Sequence, residues 1–181
     1  SRDELRLMRH AARISVEAHA AAMRAARPGI REYELQAEVE RVFRAAGAEP
    51  AYNSIVGAGA NACVLHYRAN RGQARDGDLV LIDAGAEYQG YAADITRTFP
   101  ANGRFSKAQR ELHELVDAAR AAALEQARPG VPYEAGHHAA VRVLTEGLLR
   151  LGLLKGSLER NLASGDYKRY YRHKTRHWLR L

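Results

Sequence analysis

The sequence predicts an α+β fold, and three observations carry the prediction. Long stretches of good helix formers come in two pairs, each joined by a Pro-Gly corner. Between the pairs lies a block of short β-branched and aromatic runs separated by Gly, Asn and Asp. The two corners, Ala26-Arg27-Pro28-Gly29-Ile30 and Ala127-Arg128-Pro129-Gly130-Val131, match at an offset of 101 residues.

Each element follows from local chemistry. Ser1-Arg2-Asp3-Glu4 has the S-x-x-E form of a capping box, which satisfies the orphan N–H groups of a helix start. It opens a helix from Asp3 to about Ala26, stopped by Pro28-Gly29. A second helix runs from about Arg31 to Ala46, with Leu35, Val39, Val42 and Phe43 on one face and Gly47 placed to end it. Ser54-Ile55-Val56, Val64 to Tyr67, Asp78 to Ala84 and Tyr91 to Phe99 then read as strands. Ser106-Lys107-Ala108-Gln109 is another capping box, opening a helix to about Ala127. The last predicted helix spans about Tyr133 to Leu151.

Composition narrows the function classes. The chain has 181 residues, 46% hydrophobic and 27% charged, so it can bury a core and is not a disordered chain. No apolar run approaches the ~18 residues of a membrane span. The opening residues lack the apolar stretch of a signal peptide, which makes a cytoplasmic address the expectation. The single cysteine, Cys63, excludes an internal disulfide and a multi-cysteine zinc site, and reads as buried and structural. Formal net charge is +7, of which residues 161–181 carry +5. The basic balance is thus concentrated in one short segment rather than spread over a nucleic-acid-binding face.

The matching corners admit two readings: turn chemistry shared by chance, or an internal duplication. Arg41-Val42-Phe43 and Arg142-Val143-Leu144 match at the same offset. On the second reading the first half covers about 1–104 and a partial second half about 105–181. Counterparts of Asp83 and Asp94 would then fall at 184 and 195, beyond Leu181.

The richest stretch is Asp78-Leu79-Val80-Leu81-Ile82-Asp83-Ala84-Gly85, a turn, then Asp94-Ile95-Thr96-Arg97-Thr98-Phe99. A turn centred between Tyr88 and Gln89 sets Asp83 directly across from Asp94. Opposed residues have Cβ atoms ~4.5–5.5 Å apart, so two carboxylates there repel. Either one holds a proton or a cation sits between them. Paired divalent ions ~3.5–4 Å apart use shared carboxylates of this kind. The plainer alternative is an acid pair on a solvated hairpin.

The histidines say less by themselves. His66 lies in an apolar run where a hydrogen-bonded core histidine is the common case. His173 and His177 share a face on either a helix or a strand, but without a following glutamate they are not the zinc-protease motif. His10, His19, His113, His137 and His138 receive no role.

Taken together, Tyr52-Asn53-Ser54-Ile55-Val56-Gly57, Val64-Leu65-His66-Tyr67, Asp78 to Gly85 and Gly90-Tyr91-Ala92-Ala93-Asp94-Ile95-Thr96-Arg97-Thr98-Phe99-Pro100 closely resemble the Xaa-Pro aminopeptidases. These are pita-bread metallopeptidases, a family that also holds methionine aminopeptidase, prolidase and creatinase. The resemblance covers nearly the whole chain. It implies the two-halved pita-bread fold and a pair of divalent metals, usually manganese. By the motif, Asp83, Asp94 and His177 correspond to metal ligands. His66 and His173 correspond to histidines that hold substrate and stabilise the transition state. The implied substrates are peptides with proline at the second position.

The sequence also departs from the family. Two further glutamate ligands and another histidine follow His177 in the family, and no counterparts precede Leu181. His173-Lys174-Thr175-Arg176-His177-Trp178-Leu179-Arg180 carries cations where the family has glycine or a small residue. The expectation is a truncated chain with an incomplete second half, no N-terminal domain, reduced or absent metal occupancy and impaired hydrolysis. A non-catalytic binding protein of the same fold is the alternative. A homo-oligomer is expected, because an incomplete sheet leaves an open edge. Tyr167, Tyr170, Tyr171 and Trp178 interleave with cations as in single-strand binders, but the segment is short, and nucleic acid and membrane are not expected partners.

Overall fold

The computed structural model describes residues 1–175 and 177. The chain divides after Ser106 into two units.

In the first unit, α1 (Arg2–Ala25) opens on the capping box predicted for it. Ser1 Oγ accepts from the Glu4 N–H at 3.2 Å, and the Glu4 carboxylate pairs with the N-terminal ammonium. Helix α2 (Glu32–Ala45) follows the Pro-Gly corner. Six strands complete the unit: β1 (Glu49–Pro50), β2 (Ile55–Ala58), β3 (Leu79–Ala84), β4 (Ala86–Tyr88), β5 (Tyr91–Ala92) and β6 (Ile95–Pro100). They form two antiparallel three-stranded sheets, ordered β1-β4-β5 and β2-β3-β6.

Strict alternation along β3 decides which side of the sheet is buried. Val80, Ile82 and Ala84 are buried, while Leu79, Leu81 and Asp83 are only half-buried. The buried face joins one core with Ile14, Ala18 and Ala22 of α1 and Leu35, Val39 and Phe43 of α2. Leu35, Val39 and Phe43 are completely buried, each contributing about 1.5–3 kcal/mol relative to exposure. Small residues let α1 approach the strands. Ser15 Oγ accepts from the Ala86 N–H at 2.9 Å and donates to the Ala11 carbonyl.

The second unit begins with α3 (Lys107–Glu125) and α4 (Glu134–Arg150), followed by α5 (Leu158–Ser164). Leu115, Ala119 and Ala123 of α3 pack against Ala140, Leu144 and Leu148 of α4, with Leu154 at the end of the seam. Both Pro-Gly corners adopt the same turn. Ile30 N–H bonds to the Arg27 carbonyl and Val131 N–H to the Arg128 carbonyl, each at 3.2 Å. Gly29 and Gly130 sit at φ +92° and +82°, as the third position of a type II turn requires. Helices α2 and α4 also stop alike, on Gly47 and Gly152 with positive φ. Ala48 N–H reaches back to the Phe43 carbonyl and Leu153 N–H to Leu148, both at 2.9 Å.

Three expectations are corrected and one helix is added. Val64 to Tyr67 is not a strand; a 3-10 turn, Gly59–Cys63, leads into an irregular loop. Cys63 is exposed rather than buried. The run from Tyr91 to Phe99 is interrupted at Ala93-Asp94, splitting β5 from β6. Helix α5, capped by Ser157 Oγ on the Arg160 N–H, had no counterpart in the sequence reading because its apolar pattern is too short to declare a period.

Candidate metal centre

Asp83 and Asp94 come together by a route other than the one their spacing suggests. In the β4–β5 hairpin Glu87 faces Ala92 and Tyr88 faces Tyr91. The turn is therefore Gln89-Gly90, with φ +52° and +83°, a two-residue turn with both residues left-handed. The turn centre thus lies one residue beyond the predicted one, and each residue's partner across the hairpin moves by two. Asp83 faces Thr96, and Ala84 faces Ile95. Asp94 lies in the break between β5 and β6, beside Gly85.

Glycine at 85 makes that arrangement possible. A Cβ there would lie 1.7 Å from the Ala93 carbonyl oxygen and 3.1 Å from the Asp94 nitrogen. The backbone of 93–94 thus folds onto Gly85, and ladder pairing stops on either side.

The side chain that joins the two acids is Tyr52. Strand β1 pairs with β4, and the Ala51 N–H extends the pairing to the Gly85 carbonyl at 2.8 Å. This carries Tyr52 to the hairpin break. Its hydroxyl donates to Asp83 Oδ1 at 2.6 Å and stands 3.0 Å from Asp94 Oδ1. A phenol has one proton, so it serves one carboxylate at a time. Burial, then the Asp83 hydrogen bond and the charges of both acids, push the Tyr52 hydroxyl well above the usual phenol range. Asp83 is half-buried and Asp94 exposed. Sequence reasoning gave Tyr52 no role, since only the non-local β1–β4 pairing brings it here.

The chemistry of this donor set fits a hard divalent cation. Two carboxylates converge on one hydroxyl, and oxygen donors suit Mg, Ca and Mn. Among the described residues, no three or more His, Cys, Asp and Glu gather closely enough to hold a metal.

His66 belongs to the same unit. It is exposed, in the loop between the 3-10 turn and β3, and its backbone is left-handed at φ +54°. Few non-glycine residues adopt that region without local support.

His173 and His177 belong to the second unit and both are exposed. The His173 ring bonds through Nδ1 to the Lys174 carbonyl at 2.8 Å. Of the motif around His177, Arg176 and Trp178 to Arg180 lie outside the described residues. A histidine that sequence reasoning passed over organises this segment. His137 Nδ1 contacts Thr175 Oγ1 at 2.8 Å, Tyr171 Oη contacts the same oxygen at 2.6 Å, and the His137 and Tyr171 rings lie 5.9 Å apart.

Burial holds the His137 imidazole below the ordinary histidine range, with His138 and Lys174 adding to the effect and Glu134 opposing it. A histidine lowered on folding stabilises above its unfolded pKa of about 6.5 and loses that contribution as pH falls through its folded value. Acidification below about pH 6.5 should therefore loosen segment 170–175, and His137→Gln should flatten the dependence. Hydrogen exchange of that segment at pH 8 and pH 5 checks this. Equal pH slopes for both proteins would remove His137 as the cause.

Comparison with known proteins converges on one family. Metallopeptidase family M24 matches over residues 6–181. The Xaa-Pro aminopeptidases of Escherichia coli and Haemophilus influenzae are each 45% identical to the chain over 182 residues. Those alignments cover all of this chain but 41% and 42% of the relatives, so it spans about two fifths of their length. The structure of the aminopeptidase PepP of Pseudomonas aeruginosa matches at TM-score 0.97 and 53% identity, over 99% of this chain and 41% of that one. A zinc-substituted E. coli aminopeptidase P in complex with product matches at TM-score 0.96 and 45% identity, with the same coverage. The helices and strands are thus part of a pita-bread fold, and the chain belongs to metallopeptidase family M24.

Proposed function

We propose that the chain carries part of the catalytic machinery of a dimetal aminopeptidase that releases the residue preceding proline at a peptide N-terminus. The convergence of Asp83 and Asp94 on one hydroxyl is the observation that carries this reading. In it Asp83, Asp94 and His177 hold divalent metal, most suitably Mn²⁺ for an oxygen-rich site, while His66 and His173 bind the peptide. Bound metal would supply Lewis acidity and a nucleophilic water near neutral pH.

The chain's own groups do the rest. Asp83, on the half-buried face of β3, and Asp94, in the break between β5 and β6, place negative charge together and orient whatever cation they hold. The Tyr52 hydroxyl donates to one of the two carboxylates at a time, and its raised pKa keeps it a donor at neutral pH. An imidazole at His66 can donate to a peptide carbonyl oxygen as negative charge develops there. The two-halved division near residue 105 and a cytoplasmic setting belong to the same proposal.

A second reading has its own support. The described residues bring together two carboxylates and no third ligand of the His, Cys, Asp or Glu kind. On that basis the 181-residue protein binds peptide and turns it over at close to background. The two readings separate in one experiment with an Ala-Pro-Ala peptide and Mn²⁺. Calorimetry reports binding, and mass spectrometry reports release of alanine. Binding that weakens about tenfold in His66→Ala, with negligible release, supports the second reading. Manganese-dependent release lost in Asp83→Asn supports the first. Neither binding nor release would overturn both.

A further inference from the structure

Glu32 is the least expected residue in the first unit. It is 1% exposed, at the first position of α2, and its four partners are N–H and O–H donors. The Ala58 N–H at 2.8 Å and Asn61 Nδ2 at 2.9 Å reach Oε1. The Tyr67 hydroxyl at 2.9 Å and the Gly72 N–H at 2.7 Å reach Oε2. An ionised carboxylate is acceptor-only with about four lone-pair sites, so this one is fully used. Its place in the first turn of α2 adds the favourable end of the helix dipole.

Those four donors are not scattered. They fall at both ends and in the middle of one loop, residues 58–72. Asn61 Nδ2 also donates to the Tyr67 oxygen at 3.0 Å, and the Glu32 N–H donates to the Gly72 carbonyl at 2.9 Å. Packing at the junction is tight: a Cβ at Gly72 would lie 2.5 Å from Asn61 Nδ2 and 2.6 Å from Glu32 Oε1. Between the anchors, Cys63, Val64, Leu65 and His66 are all exposed, with Leu65 at 62%. The loop thus has a buried, charged base and an exposed tip that ends in left-handed His66, one residue before the Tyr67 anchor.

We propose that Glu32 is the positioning residue for His66. Its carboxylate gathers the loop and fixes the backbone on which the imidazole is carried, while touching no substrate itself. The proposal rests on the reading of His66 as a peptide-binding group. Glutamine at 32 keeps the shape but turns an NH₂ toward two of the donors, so two hydrogen bonds are lost and two donors face each other.

The test uses the 181-residue protein, with amide hydrogen exchange and the His66 ring signals in ¹H–¹³C NMR spectra. In Glu32→Gln, exchange of amides 61–67 should accelerate by about tenfold to a hundredfold, and the His66 ring signals should shift and broaden. Exchange in α1 and the later turns of α2 should stay as it was. Tyr67→Phe removes one anchor without burying a charge or leaving one unpaired at α2. It should give a smaller change in the same direction, and it decides the matter if Glu32→Gln does not fold. Unchanged loop exchange and ring signals in the folded variants would overturn the proposal. So would a loosening spread evenly over the whole first unit, which is what a purely structural carboxylate gives. Titration of the Ala-Pro-Ala peptide separates this outcome from the parent reading. If His66→Ala leaves peptide binding intact, His66 is not the peptide residue, yet the effect of Glu32 on the loop remains measurable.

Discussion

Asparagine at Asp83 is expected to lower the affinity of the protein for Mn²⁺ by about tenfold to a hundredfold, and asparagine at Asp94 by a similar factor. Loss of groups that merely support a ligand costs that much, and a carboxylate in contact with the ion also removes a full charge. The unsubstituted 181-residue protein should itself bind weakly, with no more than one ion, since two carboxylates are the metal-binding groups the described residues bring together. The same substitution has the opposite sign on metal-free stability. Asp94 is exposed and has the longer contact with Tyr52, so Asp94→Asn chiefly removes repulsion from Asp83. It should leave the metal-free protein as stable or raise it by up to about 1 kcal/mol. Calorimetry and the paramagnetic resonance of Mn²⁺ report the first effect, and urea unfolding in chelator the second. Two tightly held ions per chain, or unaltered affinity in both variants, would show that the cation binds elsewhere.

Alanine at Gly85 should be the most damaging small substitution in the hairpin, costing about 3 kcal/mol or more. The contact is with backbone, 1.7 Å from a new Cβ to the Ala93 carbonyl oxygen, and no rotamer change relieves it. Either β4 moves off α1, exposing Ala86, or segment 93–94 moves and takes Asp94 away from Tyr52. Gly90→Ala provides the comparison. Gly90 has φ +83° with nothing within 4 Å of its Cβ, so only the left-handed backbone is penalised, by about 1–2 kcal/mol. Urea denaturation of the two variants separates the mechanisms. A Gly85 variant no less stable than the Gly90 variant would mean that the break at 93–94 is not set by this contact.

What was legible in the sequence was local or nearly so. The capping box at Ser1, the type II corners at Pro28-Gly29 and Pro129-Gly130, and the glycine stop at Gly47 are written in a few adjacent residues, and the structure has each of them. Helix faces follow the same logic, since Leu35, Val39 and Phe43 needed only the 3.6-residue period to be placed in the core. The acids Asp83 and Asp94 were also found from sequence, through the incongruity of a carboxylate closing an apolar run. The metal-ligand and histidine roles came from resemblance rather than spacing.

Tertiary structure decided what depends on partners far along the chain. The hairpin register turned on whether Tyr88-Gln89 or Gln89-Gly90 formed the turn; the change moves each partner by two residues, which leaves the same faces paired, so hydrophobic alternation does not distinguish the two. Tyr52 reaches Asp83 only because β1 adds to β4, a pairing of two residues with no periodicity to announce it. Val64 to Tyr67 has the composition of a strand, but Glu32 draws the donors on both sides of it onto one carboxylate, and a chain gathered at its base becomes a loop. In the last two cases a polar group drawn out of water had to find its partners, and those partners lay 26 to 42 residues away.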